Sequence, residues 1–331
     1  MKLVKLCVCA SILLAPAVRA DVTLRYETEW KPAAALQPFM AQAMQTMQGG
    51  AGNATSIRMK GNLGYATAGK LIEIFDFTKG DVTVVDAASK TFAALPLSQL
   101  VDKMAGAMPQ PTAPQGMQAF QQILESIKTS VDSKITGKTD EIQGVQAEER
   151  EVTFTMEIPM PPGMAKQTGP SMSVKIVMHI WTAKKEEALR VPAIRELTGY
   201  QAWQRYIMNP AGMFEKLAGK MPGVSHAIGP LVEEMSKNQS VMLRTHTEIY
   251  MPFLATLAKQ ASAAGQSFPA LDPDAPLLEM NQEVAELSTA PVDASLFEIP
   301  KGYTAVTADE LFRATFTAQS TAAPATAPEP K

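Results

Sequence analysis

Side chains able to do chemistry are few. The chain carries three histidines, His179, His226 and His246, and two cysteines, Cys7 and Cys9. His179 and His246 fall on predicted strands, on the faces opposite the apolar series, where two imidazoles could meet across a sheet and ligate a metal. No further ligand spacing accompanies them, so both read as solvent-facing strand histidines. Methionine is abundant, with 20 residues. Met40, Met44 and Met47 recur at helical spacing, and Met156, Met160, Met164 and Met172 crowd one loop and its flanks. Thioethers are soft ligands that select Cu(I), but methionine at helical spacing ordinarily fills a core. Copper is therefore an alternative reading and not an assignment. Gly223-Val224-Ser225-His226-Ala227 lacks the last glycine of a nucleophile elbow. No glycine-rich phosphate loop occurs. Glu186-Glu187 and Glu233-Glu234 are sequence neighbours, which do not converge on one substrate. No catalytic residue, metal or cofactor is assigned, and the chain reads as a non-enzyme.

The N-terminal 20 residues explain the cysteines. Lys2 and Lys5 precede an apolar run from Leu6 to Val18, which ends at Val18-Arg19-Ala20. This is the signal-peptide order of charge, apolar core and small residues, with cleavage expected after Ala20. The run is too short to anchor the chain across a bilayer, and no later window is long enough. Cys7 and Cys9 leave with the leader, and neither follows the apolar run as a lipid-attachment cysteine would. Disulfides and thiolate chemistry are thereby excluded from the mature protein. Without Lys2, Lys5 and Arg19, 27 basic side chains face 33 acidic ones, a net charge of −6. That argues against nucleic acid and anionic membrane surfaces as partners. The expected location is a bacterial periplasm.

Positioning elements are read from periodicity. Val22, Leu24, Tyr26, Thr28 and Trp30 alternate with polar residues as a half-buried strand does. Leu36, Phe39, Met40, Ala43, Met44 and Met47 mark an amphipathic helix stopping at Gly49-Gly50. Strands are expected at Ser56–Thr67, Lys70–Thr78, Asp81–Asp86 and Thr91–Ala94, joined by short turns as an antiparallel meander. Leu97 to Met108 and Phe120 to Ile127 read as helices around a Pro-rich loop. Strands resume at Asp132–Lys138, Val145–Ile158 and Ser171–Thr182. The loop Pro159–Pro170, long for a hairpin, is a candidate flap. A helical section follows, with Asn209-Pro210 as N-cap and first helical position. Strands return at Ser240–Met251 and Leu277–Ser288, around a helix carrying Phe253, Leu254, Leu257 and Ala261. Thr307 and Glu310 form a capping box for a last helix. Thr317 to Lys331, rich in Ala, Thr and Pro, is expected to be disordered. Strands in runs with inserted helices give an α+β fold.

Three segments carry a resemblance. They are Ile72-Glu73-Ile74-Phe75-Asp76-Phe77 through Asp86-Ala87-Ala88-Ser89-Lys90-Thr91-Phe92 to Leu95-Pro96; Gly137-Lys138-Thr139-Asp140-Glu141-Ile142-Gln143-Gly144-Val145; and Ser295-Leu296-Phe297-Glu298-Ile299-Pro300-Lys301-Gly302-Tyr303. Together they resemble a family of exported bacterial proteins similar in pattern to LolA-like lipoprotein carriers. The likeness runs from about Asp21 to Val306. It implies a curved antiparallel sheet, an open half-barrel, with helices across the concave face around an apolar cavity that shelters acyl chains in the carriers. The section 192–238 departs from that pattern as a helical insertion, and residues that would dock a transport partner have no match. The expected organisation is a leader over 1–20, one domain over 21–316 with that insertion, and a tail over 317–331.

Beside the soft-metal (copper) alternative, two functions remain open at this level. The first is a binding protein for an apolar or lipidic ligand, lined by Phe154, Met156, Val174, Ile176, Met178 and Ile180 on two strands and by Met40 and Met44 on a helix. The second is a structural or interaction module that docks a protein partner in the cell envelope.

Overall fold

The computed structural model describes residues 21–37, 54–68, 71–107, 126–159, 171–198, 200, 224–237, 240–263, 265 and 269–321. Twelve strands form one sheet. They are β1 (Val22–Pro32), β2 (Ala54–Lys60), β3 (Leu63–Ala68), β4 (Leu71–Asp76), β5 (Asp81–Asp86), β6 (Thr91–Pro96), β7 (Lys128–Ile142), β8 (Val145–Pro159), β9 (Ser171–Ala183), β10 (Met242–Tyr250), β11 (Leu278–Ser288) and β12 (Thr304–Ala305). Their order is β12-β6-β5-β4-β3-β2-β1-β11-β10-β9-β8-β7, so the described sheet is open, with β12 and β7 at its edges. All neighbours are antiparallel except β12, which runs parallel to β6. Among the described residues the helices that accompany it include α1 (Leu97–Ala107), α2 (Val224–Ser236), α3 (Pro252–Ala263) and α4 (Ala308–Thr321), with shorter helical segments at Glu187–Arg190 and 192–198. This is the expected α+β class.

Alternation and turn chemistry account for most of the sheet. β8 and β9 lie close to the predicted limits, because Val152, Phe154 and Met156 keep strict period two. Gln143 and Gly144, with φ of 51° and 73°, close the β7–β8 hairpin in the mirror-image turn that suits a twisted pair. One expectation needs correction: Ser56–Thr67 is not one strand. It breaks at Gly61-Asn62 into β2 and β3, with Gly61 at φ 57°. Gly-Asn is a two-residue turn signal that outweighs the apolar continuity on either side. β7 starts at Lys128, four residues before the predicted Asp132, and α4 reaches Thr321, past the predicted start of the tail at 317. The Met40/Met44/Met47 helix, the helix at Asn209-Pro210 and nearly all of the Pro159–Pro170 loop lie outside the described residues.

Facing residues in the register share a face of the sheet. Along one row Val22, Met59, Gly64, Phe75, Val82 and Leu95 stand side by side from β1 to β6. This inner face carries two apolar clusters. One joins Leu24, Tyr26, Leu243 and Val284 to Ala193, Ile194, Leu197 and Tyr200. The start of the predicted insertion therefore packs into the core. The other seats Leu100 of α1 and Leu311 and Phe312 of α4 on Val82, Val84 and Leu95. Phe77 packs against both clusters, its ring 5.5 Å from Tyr200 and 6.2 Å from Phe75. Thr307 and Glu310 exchange the expected capping bonds: the Glu310 N–H donates to Thr307 Oγ1 at 3.2 Å and the Thr307 N–H to Glu310 Oε2 at 2.9 Å.

Candidate functional site

The six predicted lining residues of β8 and β9 come together on the inner face. Met156 faces Val174, Phe154 faces Ile176, Met178 faces Val152 and Ile180 faces Arg150. Their accessibility divides them. Phe154 and Ile180 are 2% exposed and Val174 is 8%, so the chain's own packing closes over them. Met156, Ile176 and Met178 remain half-buried. Met40 and Met44 lie outside the described residues.

The register extends this patch across the sheet. Ile176 faces Ile249 of β10, which faces Leu278 of β11. Met178 faces Thr247, Thr247 faces Met280, and Met280 faces Trp30 of β1. Ile249, Leu278, Met280 and Trp30 are all half-buried. A half-covered apolar tract thus runs over five strands. Polar residues border it on one side. Thr245 is buried there, and Gln282 beside it donates to Thr28 Oγ1 at 3.2 Å. Periodicity missed this border, since threonine belongs to strands on either face.

The outer face is a charged lattice. His179 and His246 do face each other across β9 and β10, with ring centroids 6.0 Å apart. Each has a partner of its own: His179 Nδ1 lies 3.1 Å from Glu149 Oε1, and His246 Nδ1 lies 2.6 Å from Asn281 Oδ1. Arg244 bridges Glu283 at 2.8 Å and Asp140 at 2.7 Å. Among the described residues no group of three or more His, Asp, Glu or Cys converges as a metal site. Of the methionines weighed for copper, Met156 and Met172 stand on the inner face opposite Val174 and Ile158, while Met47, Met160 and Met164 lie outside the described residues.

Carboxylates in this lattice are well served. Glu149 is 3% exposed. Burial acts to raise its pKa, but the Thr136 hydroxyl at 2.5 Å, the Lys138 ammonium and His179 together hold it below the usual range. Glu187, 5% exposed, is held low mainly by the hydrogen bond from Arg190, against the opposing effect of burial. It also accepts from the Gln146 N–H at 3.2 Å. Arg190 in turn donates to the Gly144 carbonyl at 2.7 Å, which pins the β7–β8 turn. Two clefts open at the surface of the described chain. One of about 280 Å³ lies between Glu148, Arg150, Lys185 and Lys237. The other, about 220 Å³, is lined by Ala33 to Ala35, Leu271 and Leu277. Among the described residues no helix is long and apolar enough to cross a membrane.

No family model and no curated protein matches the chain. Among solved structures it is similar to the crystal structure of the Mycobacterium tuberculosis lipoprotein LppX, at 10% identity and a TM-score of 0.23, over 83% of this chain and 88% of that one.

Proposed function

We propose that this chain is a non-enzymatic binding protein for an apolar or lipidic ligand, exported through a leader cleaved after Ala20 and at work in a bacterial periplasm. Residues 21–316 are its binding domain, with 192–238 as a helical inset. The observation that carries the reading is the tract of half-buried Met156, Ile176, Met178, Ile249, Met280 and Trp30, laid side by side over five strands. Methionine and isoleucine there offer deformable apolar contact without a reacting group. Burial of an alkyl chain gains about 0.8 kcal/mol per methylene. Association costs at least about 4 kcal/mol, so only chains longer than about five methylenes gain on balance. The bordering threonines and Gln282 suit hydrogen bonding to an ester or amide beside such a chain.

The test is native mass spectrometry of the protein purified from the periplasm without detergent. A lipid should travel with it. The double variant Ile176→Thr/Met178→Gln removes apolar area from the tract and should weaken a long-chain probe about tenfold, with the far-UV spectrum unchanged. A protein that purifies empty and takes up no long-chain probe ends this reading.

A further inference from the structure

Among the described residues, the inner face holds a carboxylate that the packing leaves unanswered. Glu73 of β4 stands in a row with Leu24, Ile57, Ala66, Val84 and Ala93. Along its own strand the same face carries Leu71 and Phe75. Leu24, Phe75, Val84 and Ala93 are closed to solvent, but Ile57, Ala66, Leu71 and Glu73 are half-buried. No hydrogen bond or ion pair to Glu73 occurs among the described residues. The phenol of Tyr200 is the group that feels its charge. Burial holds the Glu73 carboxyl above the usual carboxylate range. A carboxylate in an apolar wall costs several kcal/mol unless a donor answers it. Glu149 on the outer face and Glu187 in the helical segment after β9 are each answered by donors, so an unanswered carboxylate is out of keeping with both.

We propose that Glu73 is the anchor of a second ligand site on the inner face, which takes the ammonium head of a short or branched alkylamine-type amphiphile and seats its apolar part against Ile57 and Leu71. This patch lies on β2 to β4, whereas the tract lies on β1 and β8 to β11. The site therefore stands whether or not the tract carries lipid. An ammonium supplies the missing donor and the missing charge, and a hydroxyl supplies the donor alone. A carboxylate head meets repulsion, which makes the site selective by exclusion as well as by attraction.

The experiment is calorimetric titration of the full mature protein with n-butylamine, n-butanol and n-butanoate, chains too short to gain on the tract, at neutral pH. Expected is the order amine, alcohol, acid, with about tenfold or more between amine and acid, as a hydrogen bond to a charged group implies. Glu73→Gln is isosteric and removes a buried charge, so folding is preserved. In it the amine should lose about tenfold and the three probes should converge. In the Ile176→Thr/Met178→Gln protein the amine should bind as in the wild type. Equal binding of amine and acid by the wild type, no binding of the amine, or an unchanged order in Glu73→Gln each overturns the anchor. Loss of amine binding in the tract variant does so too, since it would place the amine on the tract.

Discussion

At the scale of single residues, two carboxylates shielded from water to different degrees give opposite dependences on pH. Burial raises the pKa of Glu73 in the fold, while Arg190 first, against burial, lowers that of Glu187. Above both its folded and its unfolded pKa, Glu73 is charged in either state, and the folded state bears the desolvation. Glu73→Gln should therefore stabilise at pH 7.5 by about 1 kcal/mol or more. The gain fades as pH falls through the raised value and is gone below the ordinary carboxylate range, where both states are neutral. Glu187 contributes stability that is present above its ordinary pKa and lost as pH falls through its lowered one. Glu187→Gln should then destabilise at pH 7.5 by about 1–3 kcal/mol, and the deficit should shrink in acid. Urea denaturation of both variants at pH 7.5 and at pH 4 checks this. Variants that shift stability in the same direction at neutral pH would contradict the assignment of one carboxylate as answered and the other as unanswered.

At the scale of elements, two glycines separate strain from crowding. Gly144 sits at φ 73° in the β7–β8 turn, with nothing within 4 Å of where a Cβ would stand. Gly64 has an ordinary backbone, but a Cβ there would lie 2.6 Å from Phe77 Cζ. That ring is held between Phe75 and Tyr200 and has little freedom to retreat. Alanine at either position should cost about 1–3 kcal/mol, by left-handed strain at Gly144 and by overpacking at Gly64. Asparagine tells them apart in thermal melts. It tolerates the left-handed region, so Gly144→Asn should recover most of the loss, whereas Gly64→Asn should fare worse than alanine. The same elements show what a sequence can disclose. β8 and β9 were legible because Val152, Phe154, Met156, Val174 and Ile176 alternate without a break. The β2–β3 turn carried a signal in Gly61-Asn62, but apolar residues on both sides masked it. Glu73 was illegible as a site. Leu71 and Phe75 share its phase, while Ile72 and Ile74 hold the other, and both phases are apolar. Nothing in the alternation then says which side a lone glutamate faces.

At the scale of the whole molecule, the fold is two antiparallel stretches joined by the first strand. β2 to β6 follow one another by short turns, and so do β7 and β8. β1 is different: it pairs locally with β2 and, on its other edge, with β11, where Thr23 faces Ser288 and Pro32 faces Leu278. That register cannot be read from local pattern, since it is set by which distant strand completes the apolar face begun by Leu24 and Tyr26. It also dictates the order of folding. Closing a loop of such length costs entropy before any contact repays it, and sheets dominated by distant pairing fold in about milliseconds to seconds. The meanders need only short loops. Pulse-labelled hydrogen exchange during refolding should therefore find amides of β3 to β5 and of the β7–β8 hairpin protected in an early phase. Amides of β1 and β11 should follow in a later, slower one. The Tyr26 hydroxyl, which donates to the Met242 carbonyl at 2.7 Å, bonds across the two stretches. Tyr26→Phe should speed unfolding and leave the early phase untouched, because its bond forms only when the stretches meet. Protection of β1 and β11 in the first phase would mean that the central seam nucleates the sheet, and the two stretches would then be consequences of that seam. The late seam matters for binding as well: Trp30 and Met280 face each other across it, so the apolar tract exists only after the last step of folding.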